Sequence, residues 1–140
     1  MLNYGLEGDL CFIVQRLNRR LSRRIDQALQ SLHLTGEQAT LLAALDAARS
    51  ARAKDLSPML GLDASTISAN IKPLLNGGLV SVAVDPVDRR AKRLSLTAAG
   101  AGQLEIARSI LAELQSKCRS EVSAKTSLEE LYRALNAAEG

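Results

Sequence analysis

Residues 55–97 read DLSPMLGLDASTISANIKPLLNGGLVSVAVDPVDRRAKRLSLT, and the order of signals within them decides the fold. A short apolar-sided helix (Leu56, Met59, Leu60) stops at Gly61, which permits a sharp turn. Asp63 then offers an N-cap for ASTISANIKPLLN, whose Ile67, Ile71, Leu74 and Leu75 recur at helical spacing. Asn76-Gly77-Gly78 closes that helix, and LVSVAV (79–84) is Val-rich as a strand requires. Asp85-Pro86 turns the chain, DPVDRR forms a charged tip, and AKRLSL (91–96) returns as the partner strand. Two helices joined by a tight glycine turn and followed by a β-hairpin spell a winged helix-turn-helix, whose second helix suits the DNA major groove.

Outward from this block the chain is helical. Leu10, Val14, Leu17, Leu21, Ile25, Leu29 and Leu32 step by three and four along one amphipathic helix, with Arg16, Arg19, Arg20, Arg23 and Arg24 on its other faces. Thr35 to Gln38 has capping-box form and opens a second helix, QATLLAALDAA. Thr97 caps a long helix from Ala98 to about Ala124, and a second capping box at Ser127–Glu130 opens a terminal helix through about Ala138. The expected fold class is mainly α with a small β-hairpin (α+β). Residues 1–140 form one domain: helices over 10–33 and 98–138 for dimerisation, and a DNA-binding lobe over 35–96. The end helices have apolar stripes that a domain this small cannot bury alone, so a twofold homodimer is expected.

Composition narrows the function. Hydrophobic content of 46% and charge of 24% are ordinary for a globular chain, while aromatics at 2% leave the core to Leu, Ile, Val and Ala. No apolar run reaches the roughly 18 residues of a membrane span, and no signal peptide is evident, so a cytoplasmic protein is expected. One histidine (His33) and two distant cysteines (Cys11, Cys118) argue against a zinc site, and no phosphate loop or carboxylate–histidine cluster suggests an enzyme. No catalytic residue, metal or cofactor is expected. The net charge of +3 is concentrated: residues 49–93 hold eight Lys/Arg against four Asp, while the flanking segments are near neutral. A basic segment in a neutral frame points to nucleic acid.

Candidate DNA contacts follow from these placements. On the second helix, Ser65, Thr66, Ser68, Asn70 and Lys72 lie off the apolar stripe; Asn suits adenine, Ser and Thr suit phosphates or bases. In the wing, Arg89 suits a narrow minor groove, with Arg90, Lys92 and Arg93 for phosphates or wing support. Asp88 is expected to pair with a neighbouring arginine and set its direction. Pro73 should kink or loosen its helix. The arginines of the first helix are expected to be solvated.

The blocks LTGEQATLLAAL (34–45), DLSPMLGLDASTIS (55–68), NGGLV (76–80) and DPVDRRAKRLSLTAAG (85–100) together resemble the MarR family, the multiple antibiotic resistance regulators, over about residues 10–122. The resemblance implies a homodimeric transcriptional repressor on a pseudo-palindromic operator, with one helix in the major groove and Arg89 in the minor groove. It also implies release by a small aromatic or phenolic effector or by a hydroperoxide. Ala69 stands where many relatives carry an arginine, which points away from guanine readout. Cys11 matches the reactive cysteine of the hydroperoxide-sensing branch and Cys118 its resolving thiol, although Ile25 and Gly36 replace the tyrosines of that branch. The competing expectation is a winged-helix protein–protein interaction module without specific DNA binding.

Overall fold

The computed structural model describes residues 5, 9–121, 130, 131, 133–135 and 137. Its elements run α1 (Leu10–Ala28), α2 (Gly36–Ala48), α3 (Ala53–Leu60), α4 (Ala64–Asn76), β1 (Val80–Val84), β2 (Lys92–Leu96) and α5 (Ala98–Glu121). The order and class are those the sequence implies. The first helix is shorter than expected. Its α-helical part ends at Ala28, and Gln30–Leu32 tighten into a 3-10 turn closed by left-handed His33. The end of the long helix beyond Glu121 and the Ser127 capping box lie outside the described residues.

Local chemistry sets the boundaries. The Thr35 hydroxyl accepts from Gln38 N at 3.2 Å while Gln38 Oε1 accepts from Thr35 N at 3.0 Å, the reciprocal box that starts α2. Asp63 Oδ1 accepts from Thr66 N at 2.7 Å and starts α4. Gly61 supplies the left-handed turn between α3 and α4 at φ 63°. α4 runs unbroken through Pro73.

The core gathers on α2. Leu41, Leu42 and Leu45 have no exposed surface, and around them pack Leu56 of α3, Ile67 and Leu74 of α4, Leu94 of β2 and Leu104 of α5. The strands pair antiparallel from Val80–Leu96 to Val84–Lys92. Ala51 adds a third edge that the sequence pattern concealed, exchanging both backbone hydrogen bonds with Leu94 at 2.8 and 3.0 Å. Just before it Arg49 takes φ 64°, a left-handed value that costs a non-glycine residue. Gly100 is needed for a different reason: a Cβ there would sit 2.0 Å from the Leu79 carbonyl oxygen, so only glycine lets α5 begin against the base of the hairpin.

Candidate nucleic-acid interface

The two parts of the candidate interface are α4 and the wing, meaning β1, β2 and the tip between them. On α4 the buried side is Ile67, Ile71 and Leu74, which turns Ser65, Ser68, Ala69 and Lys72 outward into solvent. Ser65 donates its hydroxyl to Asp63 Oδ1 at 2.6 Å, so its lone pairs remain for a ligand. That hydrogen bond, with the Thr66 amide, holds the Asp63 carboxyl below the usual carboxylate range. Thr66 is half-buried. Asn70 lies on the flank rather than the outer face. Its Nδ2 donates to Glu37 Oε2 of α2 at 2.8 Å and to the Thr66 carbonyl at 3.0 Å, so only its Oδ1 is uncommitted. Bidentate adenine contact needs a free amide donor, so it would require those bonds to open.

In the wing, Arg89, Arg90 and Lys92 are exposed and take part in no ion pair among the described residues. What holds them out is a carboxylate, but a different one from the one expected. Asp85, not Asp88, is the anchor. Only 1% of its side chain is exposed, and its two oxygens accept four hydrogen bonds. Oδ1 accepts from Val87 N at 2.8 Å and Asp88 N at 3.0 Å, which folds the tip. Oδ2 accepts from Arg52 Nε at 2.9 Å and Arg93 Nη1 at 3.2 Å. Arg93 goes on to donate to the Ser50 hydroxyl at 3.0 Å and the Ser50 carbonyl at 2.8 Å. Arg93 is therefore wing support rather than a free phosphate ligand.

A buried carboxylate is tolerable only when paired and hydrogen-bonded, and this one is both. The Arg52 guanidinium, the tip amides and Arg93 hold its carboxyl far below the ordinary carboxylate range, against the opposing effect of burial. The Arg52 guanidinium is in turn pushed up. Asp88 lies beyond the turn, out of hydrogen-bond reach of Arg52 and Arg93. Its Oδ1 accepts only the Arg90 amide, at 3.0 Å, and no ion pair reaches it among the described residues. The anchor left one trace in the sequence: an aspartate at a turn commonly accepts the amides two and three residues on, and Asp85-Pro86 opens this one. Its cationic partners, from 33 residues earlier and 8 later, left none.

The cysteines sit elsewhere. Cys11 is exposed near the start of α1, Cys118 is half-buried late in α5, and both thiols are free. Arg24 of α1 makes a bidentate pair with Glu121 of α5 at 2.7 and 3.0 Å. Glu121 pushes the guanidinium up, and Cys118 adds a smaller push in the same direction. Arg24 is thus bonded across helices rather than merely solvated. At the two tyrosine positions of the hydroperoxide-sensing branch, Ile25 and Gly36 pack together so closely that a Cβ on Gly36 would lie 2.6 Å from Ile25 Cγ2. No room is left there for a larger residue at position 36.

The architecture and the cationic wing define a winged-helix protein, and the family model described as a winged helix DNA-binding domain matches residues 34–100. Among solved structures, mutant MarR from E. coli complexed with operator DNA is similar at 21% identity and a TM-score of 0.85, over 96% of this chain and 99% of that one. CouR, a transcriptional repressor bound to a 23-mer DNA duplex, is similar at 23% identity and TM-score 0.83, over 100% and 99%. The M. tuberculosis regulator MOSR in complex with DNA is similar at 26% identity and TM-score 0.76, over 92% and 97%. The chain has the MarR fold, which is the fold its sequence blocks imply. No curated protein sequence matches it.

Proposed function

We propose that the chain acts as a homodimer that binds a pseudo-palindromic operator and represses transcription until a chemical signal releases it. The observation that carries this reading is the wing: Arg89, Arg90 and Lys92, three cations without ion partners among the described residues, held out on a buried carboxylate. It stands in a fold similar to that of MarR solved on its operator. Arg89 reaches the minor groove, Ser65, Thr66, Ser68 and Lys72 meet phosphates and base edges in the major groove, and Asn70 offers one acceptor. With Ala69 outward and Lys72 the only charge on that face, the wing supplies an unusually large share of the grip.

Dimerisation is supported by α1, where Leu10, Ile13, Leu17 and Leu21 are 53, 46, 39 and 37% exposed in the single chain. A ligand class for release is supported less directly: Cys11 and Cys118 are the candidates for a hydroperoxide signal, and a small aromatic acid is the competing effector. Peroxide treatment followed by non-reducing electrophoresis separates the two. A covalent dimer lost in both Cys11→Ser and Cys118→Ser supports the thiol route, and its absence with release by an aromatic acid supports the other.

One feature favours a second reading, a protein-binding module: the outer face of α4 is nearly uncharged. Selecting fragments from a random duplex pool decides between them. Recovery of a shared palindromic sequence supports the regulator, and a folded dimer that enriches no sequence supports the module.

A further inference from the structure

Between the first turn of α3 and the wing lies a cleft of about 390 Å³. Arg52, Lys54, Arg90 and Lys92 line it, and Asp88 is its one acid. Arg52 is committed to Asp85, but Lys54, Arg90 and Lys92 make no ion pair among the described residues. They come from separate elements, brought together where Asp85 ties Arg52, at the head of α3, to Arg93 of β2 and where Ala51 pairs with Leu94. The remaining lining positions are Ala53 and Ala91, which leave the space between the cations open.

We infer that this cleft is a receptor for one phosphate-type oxyanion, with Lys54 and Lys92 as its two arms. The oxyanion is a backbone phosphate of the bound duplex or, failing that, a free phosphorylated solute that competes with it. Two ammonium groups with rotatable donors and one guanidinium fork suit a tetrahedral oxyanion. Leaving Arg52 aside as neutralised by Asp85, three cations face one carboxylate, so the cleft keeps an excess of positive charge. The clamp at Asp85 fixes both walls before any ligand arrives, which lowers the ordering cost of binding. The duplex arm of this inference rests on the DNA-binding reading above. Lys54 extends that reading to an element outside α4 and the wing.

The test uses the full chain and a labelled operator, titrated across salt concentrations. Each phosphate neutralised contributes about 0.9 to the slope of log affinity against log salt. Lys54→Ala and Lys92→Ala should each flatten the slope, and the double variant should lose no more than about one phosphate's worth, since both lysines serve one anion. Lys117→Ala is the control: this α5 lysine faces Glu113, and its loss should leave the slope alone. Melting curves confirm that the variants are folded. A second arm replaces single operator phosphates with neutral methylphosphonate. At one position this should reproduce the loss and make Lys54→Ala silent. A third arm adds pyrophosphate at constant ionic strength; displacement of the parent but not of the double variant identifies a free phosphorylated ligand. Unchanged slopes in folded Lys54→Ala and Lys92→Ala, with no selective pyrophosphate effect, overturn the inference while leaving DNA binding intact. Equal flattening by Lys117→Ala also overturns it, since the charge would then act as a diffuse field. A parent protein with no salt slope at all overturns the DNA reading instead, and pyrophosphate binding then decides the cleft alone.

Discussion

α1 and α2 are both leucine-rich helices, yet α1 buries none of its 19 residues while α2 buries six of its 13. The difference is in what surrounds them. α2 is covered by α3, α4, α5 and β2, and its Leu41, Leu42 and Leu45 lie in the middle of the core. α1 touches α5 and the start of α2, and Ile25 and Leu29 near its end join the core, but Leu10, Ile13, Leu17 and Leu21 stay exposed. A helical period therefore says that a face wants covering and leaves open whether the same chain covers it. In α2 the chain does; in α1 a second copy is the natural cover.

The most drastic way to break this contrast is to charge the uncovered stripe. Leu17→Glu with Leu21→Glu should yield a folded monomer by analytical ultracentrifugation. It should also weaken operator binding about a thousandfold, on the order of 4 kcal/mol, because two half-sites are no longer linked. A dimer that survives both charges places the interface elsewhere. Next comes the core itself. Leu42→Ala should cost about 3 kcal/mol in urea unfolding, the usual penalty for a cavity, whereas Leu10→Ala should leave a monomeric form nearly unchanged. Equal costs would erase the distinction between the helices.

The wing anchor gives a smaller, pH-dependent effect. Because the folded-state carboxyl of Asp85 is depressed, its stabilisation is fully present above the ordinary carboxylate pKa of about 3.9 and fades as pH falls below that value. Asp85→Asn should lower the melting temperature at neutral pH, less than Leu42→Ala and more than Asp88→Asn. It should also flatten the fall in stability below about pH 4. If Asp88→Asn does the greater damage, the anchor has been misplaced. The smallest effect belongs to Arg24 and Glu121, a pair open to solvent on both sides. Glu121→Gln should leave the thermal melt indistinguishable from the parent at moderate salt, since exposed pairs contribute little.

Elements and caps were legible because they are local. Thr35 with Gln38, Asp63 and Gly61 each act within a few residues, and the structure uses them as the sequence suggests. The wing clamp was not legible in full. Asp85 and Asp88 lie three residues apart in the wing tip; Asp88 is the one that adjoins an arginine, yet packing buries Asp85 instead. Arg52 stands at the head of α3, where Ser, Thr or Asp would be the usual cap, and nothing nearby in the sequence says that it bonds a carboxylate 33 residues on. Ala51 pairing with Leu94 is equally non-local. Asn70 shows a subtler limit: helical phase put it off the buried stripe, but its tie to Glu37 needed the position of α2. Gly100 reads as an ordinary helical glycine until the Leu79 carbonyl is seen beside it.

Operator binding by the intact dimer, measured for the parent and for Arg89→Ala across salt concentrations, tests the central claim most directly. The parent should bind a selected palindromic duplex with affinity that falls steeply as salt rises. Arg89→Ala should lose about 1–3 kcal/mol while remaining a folded dimer. A folded parent dimer that binds no duplex, or binds one equally at all salt concentrations, would contradict the account.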